Sequence, residues 1–203
     1  MGGYFPQIFI RELGWCYFWG GCLGNTFFFM VSGFLLSHGY EDRISKGEIS
    51  FVEFMKRRII KIVPLYLITN LFRVGINIAS TGIAALKFDD LLRVLFMAAS
   101  GWVTNVTPSY FNAPTWFVCV LNIVYIIYYF VTKIKNKNRD VYFLLLFIIV
   151  VFGRSLYVLN LKIPFMGNGI GLALYCFFLG VVLHELITST YDNLKRTVWI
   201  CGT

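Results

Sequence analysis

The chain has 203 residues, of which 58% are hydrophobic, 19% are aromatic and only 14% are charged. A soluble domain carries about 25% charged residues, so this composition excludes a water-soluble globule, a disordered chain and a disulfide-rich secreted module. The net charge of +8 comes from basic residues grouped between apolar runs, a pattern that encodes membrane orientation and not nucleic-acid binding. We therefore predict an all-α, polytopic transmembrane bundle with no nucleic-acid partner.

Five apolar stretches are long enough to cross a bilayer, because about 20 helical residues span its hydrocarbon core. A sixth stretch, Leu91–Thr104, is short and interrupted by Gly101, so it predicts an interfacial or partly inserted helix. Residues Val198–Thr203 look like the first turn of a further apolar segment. The five predicted spans, in chain order, are Trp15–His38, Ile60–Ser80, Thr115–Thr132, Val141–Leu159 and Gly169–Thr188.

Basic residues predict the orientation of these spans. Twelve of the 18 Lys and Arg residues lie in the connection Gly39–Lys61, in the connection Lys133–Arg139 and in the C-terminal tail, which alternating spans place on one side. The positive-inside rule assigns that side, including the C-terminus, to the cytoplasm. The amino terminus then starts outside, which suggests that the chain lacks a helix that would precede Trp15. The five cysteines have no metal-ligand spacing, so no metal site is predicted.

The segment with the most chemical information joins the first two spans. A helix with a Ser-Gly step at Ser32 is followed by a charged connection and a helix whose first turns carry Arg57, Arg58 and Lys61. These cations crowd together at helical spacing and repel one another unless an anion is bound. They either contact lipid phosphates or bind a polyanionic cytosolic ligand. Pro64 favours the second interpretation, because a proline inside the helix bends it and opens space for a ligand.

At these residues the sequence resembles the acyltransferase-3 family of membrane proteins. The resemblance covers Phe-Phe-x-x-Ser-Gly-Phe-Leu at Phe28–Leu35 and Phe-x-x-Arg-Arg-x-x-Lys-Ile-x-Pro-x-Tyr at Phe54–Tyr66. Two weaker segments follow in the family's order: Thr115–Val118, where Trp116 opens a span, and Phe177–Val181. We interpret residues 1–203 as a single acyltransferase-like domain.

The resemblance implies transfer of an acyl group, usually acetyl, from cytosolic acyl-coenzyme A to a hydroxyl of a cell-surface or lipid-linked carbohydrate at a bacterial plasma membrane. Acyl-coenzyme A would be a co-substrate, and no bound cofactor is implied. The family's Arg-x-x-Arg pair maps to Arg58 and Lys61, so lysine keeps the charge but loses bidentate geometry, and Arg57 is expected to compensate. The residues expected to line or pack the acyl channel, with the thioester beside the serine and the tyrosine, are Ser32, Gly33, Phe34, Pro64, Tyr66 and Trp116.

The chain departs from the family at the catalytic base. The family's first helix carries an Arg and a His base, but no His precedes Trp15, so the chain reads as the middle of a longer enzyme. His38 is a candidate substitute base, and the catalytic base is otherwise unassigned. The pair His184 and Glu185 is expected to be a solvated pair at a helix end.

Other side chains have simpler interpretations. Ser32 has no base spaced to activate it, so its Ser-Gly step is expected to allow close helix packing. Arg73 and Arg154 lie in or near spans, where they either snorkel or face inward to hold an acceptor. Two alternatives to a membrane acyltransferase stay open: a permease or lipid-carrier flippase, and an inactive remnant of the enzyme.

Overall fold

Five α-helices form the computed structural model, which describes residues 5–82, 116–161 and 166–201, with helical side chains described between residues 23 and 191 except 168. No strand occurs within these ranges. In chain order the helices are α1 (Phe5–Ser45), α2 (Phe51–Thr81), α3 (Trp116–Ile134), α4 (Arg139–Leu159) and α5 (Asn168–Cys201).

Four of these helices are long and apolar enough to cross a membrane: α2, α3, α4 and the Gly169–Tyr191 part of α5. This confirms the predicted helical membrane bundle. The predicted span Trp15–His38 lies wholly within helix α1, but its side chains up to residue 22 are outside the described residues, so its membrane crossing stays a prediction. The predicted segment Leu91–Thr104 also lies outside them. The prediction that Val198 begins a further segment is wrong, because α5 continues without a break to Cys201.

Helix α2 begins nine residues before the predicted span, at Phe51, because Ser50 caps it. The Ser50 hydroxyl accepts a hydrogen bond from the Glu53 backbone N–H at 3.2 Å, which satisfies one of the unpaired donors of the first turn. The cations at 57, 58 and 61 therefore lie on regular helix, and their relative positions are fixed by its geometry.

Helices α1 and α5 touch backbone to backbone at two glycines. A Cβ added to Gly33 would lie 2.0 Å from the Phe177 carbonyl oxygen, and one added to Gly180 would lie 1.9 Å from the Met30 carbonyl oxygen. Two sequence motifs, Ser-Gly-Phe and Phe-x-x-Gly, therefore meet face to face. The predicted packing role of the Ser-Gly step is confirmed, since only residues without side chains allow helices in lipid this close.

A second glycine contact joins α4 to α5. A Cβ at Gly153 would lie 2.6 Å from the Tyr175 backbone nitrogen, and one at Gly171 would lie 2.6 Å from the Tyr157 backbone nitrogen. Helix α5 is therefore held against two neighbours through close backbone contacts. Helix α3 completes this unit with a row of buried tyrosines, of which Tyr128 is fully buried against Phe177.

Helix α2 is the least buried of the candidate spans. Its described buried side chains are Phe54, Tyr66 and Asn70, and Val52 and Phe72 are each 72% exposed. Apolar side chains exposed on a membrane helix face lipid, so α2 lies at the edge of the bundle that the described helices form.

The basic connections lie at one end of the bundle, as the alternation of spans predicts. The Tyr129 hydroxyl of α3 donates to the Ile49 carbonyl between α1 and α2 at 3.0 Å. Lys135, after α3, binds both Glu41 of α1 and Glu185 of α5. We call this end of the bundle, with its two basic connections, the charged end.

Candidate functional site

At the charged end, three cations of α2 surround one tyrosine of α1. The Arg58 guanidinium carbon lies 4.2 Å from the centroid of the Tyr40 ring, and Lys61 and Arg57 act electrostatically on the Tyr40 hydroxyl. We call Tyr40, Arg57, Arg58 and Lys61 the cation patch. The crowding of the three cations that the sequence predicts is confirmed, and the structure adds the tyrosine.

The positive charge of the cation patch changes the pKa of Tyr40. Partial burial acts to raise the pKa of the Tyr40 phenol, but the three cations outweigh burial and lower this pKa below its usual value of 10.0. A phenol whose pKa is lowered by neighbouring cations marks a positive potential. The patch is therefore suited to an anionic ligand.

Arg57 and Arg58 are not equivalent within the patch. Arg57 is exposed and forms an ion pair with Glu53 one turn earlier, at 2.5 Å. Arg58 is half-buried, stacks on Tyr40 and has a buried Nε that lacks a hydrogen-bond partner among the described residues. An unpaired guanidinium N–H in a fixed orientation can donate to a phosphate or carboxylate oxygen without first breaking an ion pair. Arg58 is thus the best-prepared anion ligand of the three.

Tyr40 could not be assigned to this site from the sequence, because its partner Arg58 lies on the next helix. We expect Tyr40→Leu to lower the free energy of unfolding by about 1 kcal/mol through loss of the stacked cation, whereas Tyr40→Phe keeps the ring and most of this energy. Thermal unfolding of the purified protein in detergent measures the difference. Equal losses in the two variants would contradict the stacking interpretation.

The predicted channel residues fall into separate packing groups. Gly33 and Phe34 of α1 lie against α5, where the Phe34 ring is 5.5 Å from the His184 ring. Tyr66 of α2 instead packs on α3, with its hydroxyl 4.0 Å from the Cys119 sulfur. Ser32 is half-buried. The described contacts therefore do not bring Ser32 and Tyr66 together, and a thioester beside both stays a prediction.

Two further predicted residues are located by the structure. Trp116 opens α3 as expected, and its ring lies 6.0 Å from Phe29 and against Gly169 of α5. Pro64 lies inside α2 and is exposed, and the helix continues past it to Thr81. The bend predicted at Pro64 stays a prediction.

Beside the cation patch lies a buried group of charged side chains that the sequence did not reveal. Lys135 bridges the carboxylates of Glu41 and Glu185, at 2.5 Å from the latter. The Tyr142 hydroxyl donates to Glu41 Oε1 at 3.2 Å, and His184 Nδ1 lies 2.9 Å from Glu41 Oε2. We call these five residues the carboxylate cluster. Glu41 and Glu185 are only 3% and 6% exposed.

The interpretation of His184 and Glu185 as a solvated pair is therefore wrong. The pair lies on the face of α5 that turns toward α1 and Lys135, and that packing leaves the side chains of His184 and Glu185 only 13% and 7% exposed. A signal was present in the sequence. Glu41 continues the row of buried α1 positions that includes Phe29, Gly33 and Ser37, at helical spacing.

The remaining candidates lie outside both groups. His38 is exposed, and its ring is 5.8 Å from the ring of His184, which places it at the edge of the carboxylate cluster. Arg154 lies 5.6 Å from the rings of Tyr157 and Tyr175, and Arg73 is exposed on α2. Both arginines are consistent with snorkelling.

The long apolar helices define an integral-membrane helical protein, and three cations lie together at its charged end. A family model described as an acyltransferase domain matches residues 3–203. Since the match covers nearly the whole chain, the protein belongs to the acyltransferase-3 family of membrane acyltransferases. Searches of curated proteins and of solved structures each returned no match.

Proposed function

We propose that the protein transfers an acyl group, acetyl in the simplest case, from cytosolic acyl-coenzyme A to a hydroxyl of a cell-surface or lipid-linked carbohydrate. The charged end and the C-terminus then face the cytoplasm of a bacterial cell. Family membership supports the transfer of an acyl group. The choice of donor rests on the cation patch, where α2 presents Arg57, Arg58 and Lys61 around one tyrosine.

Coenzyme A suits this patch because it carries a 3′-phosphate and a diphosphate. Arg58 offers a directional guanidinium donor to one phosphate, and Lys61 supplies a point charge. Arg57 can join once its exposed pair with Glu53 opens, which costs little in water. The thioester would extend from the patch toward the bundle interior.

We expect Arg58→Ala to weaken coenzyme A binding by about ten- to hundredfold, the cost of losing a charge-assisted hydrogen bond. Isothermal titration calorimetry of the purified protein in detergent measures this affinity. Lys56→Ala is the matched control, because it removes the same charge from an exposed position on the same helix and outside the patch.

Lys61→Arg restores the family's second arginine and is expected to tighten binding through a bidentate contact. Unchanged affinity after Arg58→Ala, or equal losses in Arg58→Ala and Lys56→Ala, would exclude the patch as the coenzyme A site. Acyl transfer itself is measured with labelled acetyl-coenzyme A and membranes that contain candidate carbohydrate acceptors.

A further inference from the structure

The carboxylate cluster has an imbalance of charge. Two buried carboxyl groups, Glu41 and Glu185, share the single ammonium of Lys135. His184 lies 2.9 Å from the other oxygen of Glu41, but its Nδ1 makes no hydrogen bond of normal geometry. Ionising both carboxyl groups around one ammonium in a buried site is costly, so the cluster favours a state in which one of the two is protonated.

Three buried hydroxyls lie between the carboxylate cluster and the cation patch. Ser37, Tyr128 and Thr132 are each no more than 1% exposed, and the Tyr128 hydroxyl lies beside the other two. None of the three hydroxyl oxygens makes a hydrogen bond of normal geometry to a described residue. The Tyr128 hydroxyl is also within electrostatic range of both Glu41 and Arg58. Buried hydroxyls without a hydrogen-bond partner are uncommon, and here one of them lies within electrostatic range of both charged groups.

We propose that Glu41 and Glu185 hold one proton between them, and that this proton-binding site is linked through the hydroxyls of Ser37, Tyr128 and Thr132 to anion binding at Arg58. The ligand of the new site is a proton. Its link to coenzyme A rests on the proposed function, whereas the proton site itself does not.

The titration of Glu41 agrees with this assignment. Burial raises the pKa of the Glu41 carboxyl from its ordinary value of 4.5 to about 8, and the neighbouring Glu185 adds to the increase while Lys135 opposes it. The charged or titratable groups around Glu41 come from every neighbouring segment: His38 and Asp42 of α1, Tyr128 of α3, Lys135 after it, Tyr142 of α4, and His184 and Glu185 of α5.

The sign of the effect on stability follows from the direction of this shift. Because the pKa of Glu41 is raised, the folded chain binds the proton more tightly than the unfolded chain does. The contribution of Glu41 to the free energy of unfolding is therefore complete below pH 4.5 and is lost as the pH rises through about 8.

The link to the cation patch is reciprocal. An anion bound at Arg58 adds negative potential at the Tyr128 hydroxyl and at Glu41, which favours the protonated carboxyl. Thermodynamic linkage then requires that protonation of Glu41 strengthen anion binding by the same factor. We expect coenzyme A affinity to fall about fivefold between about pH 7 and about pH 9, at the lower end of measured couplings between sites.

Infrared difference spectroscopy of the purified protein tests the proton site without any ligand. The wild type should show the carbonyl stretch of a protonated buried carboxyl that disappears as the pH is raised through about 8. Glu41→Gln should remove this band, and Glu48→Gln, at an exposed position, should keep it. Tyr142→Phe, which removes the donor to Glu41 Oε1, should move the midpoint to higher pH. A band unaffected by Glu41→Gln, or absent from the wild type, would overturn the assignment.

Calorimetry in buffers of different ionisation enthalpy tests the link. Coenzyme A binding near pH 8 should take up protons in the wild type and in Glu48→Gln, but not in Glu41→Gln. Tyr128→Phe should keep the infrared band and reduce the uptake. Binding with no proton uptake in the wild type would overturn the link. Failure to bind coenzyme A at all would overturn the proposed function and the link together, while the infrared titration still decides the proton site.

Discussion

Gly33→Ala is expected to lower the free energy of unfolding by about 3 kcal/mol or more. The new Cβ would lie 2.0 Å from the Phe177 carbonyl oxygen, and the atoms that it meets are backbone, so no change of rotamer relieves the overlap. Helices α1 and α5 must then separate, and many contacts around Phe177 and Met30 weaken together. Gly180→Ala places a methyl group 1.9 Å from the Met30 carbonyl oxygen and should act similarly.

The same helix supplies matched controls. A Cβ at Gly24 or Gly39 of α1 would meet no atom within 4 Å, so alanine there should be neutral or stabilise the helix by up to about 1 kcal/mol. Thermal unfolding in detergent, followed by circular dichroism, compares the variants. A stability of Gly33→Ala equal to that of Gly39→Ala would show that the close α1–α5 contact does not form.

Lys135→Met is expected to destabilise the protein by about 3–5 kcal/mol, because it leaves the negative charge of two buried carboxyl groups without a cation. The loss should shrink as the pH is lowered, since protonated carboxyls need no counter-ion. Above about pH 8, where both carboxyls are ionised, adding Glu41→Gln to Lys135→Met should recover part of the stability by removing one of the two charges. Unfolding measured across a pH series tests all three expectations.

Lys137→Met is the control for Lys135→Met. Lys137 lies in the same connection and carries the same charge, but its side chain is exposed, so its replacement should change stability by no more than about 0.5 kcal/mol. Similar losses in the two variants would mean that Lys135 acts only through the net charge of the connection.

The sequence predicted the helices well because apolar runs such as Val141–Leu159 can be stable in lipid only as helices. Hydropathy does not locate helix ends. The apolar run predicts that the second span starts at Ile60, whereas the helix starts directly after its cap, Ser50. The close packing at Gly33 could be predicted, but its partner Phe177 could not, since that contact depends on how distant helices are arranged.

Part of the candidate site could be predicted from the sequence, and part could not. Arg57, Arg58 and Lys61 share one helix, so their spacing alone predicts that they crowd together. Glu41 and Lys135 lie 94 residues apart, and neither residue has a local partner that reveals the other. Isolated charges beside apolar runs are most often solvated, so the sequence predicts a solvated pair at His184 and Glu185. The four-residue spacing of Glu41 from Ser37 indicates the buried face of α1, but only the packing of α1 against α5 shows that Glu185 meets it there.

The exposed position of α2 affects how the enzyme responds to its surroundings. The α1, α4 and α5 helices are fixed to one another by close backbone contacts, whereas α2 meets the rest through Phe54, Tyr66 and the Tyr40–Arg58 stack. Among the described residues few pack on the helix that carries the cations, and its exposed apolar side chains face lipid. If coenzyme A binds at the cation patch as proposed, a change in bilayer thickness would therefore act on its affinity through the position of α2.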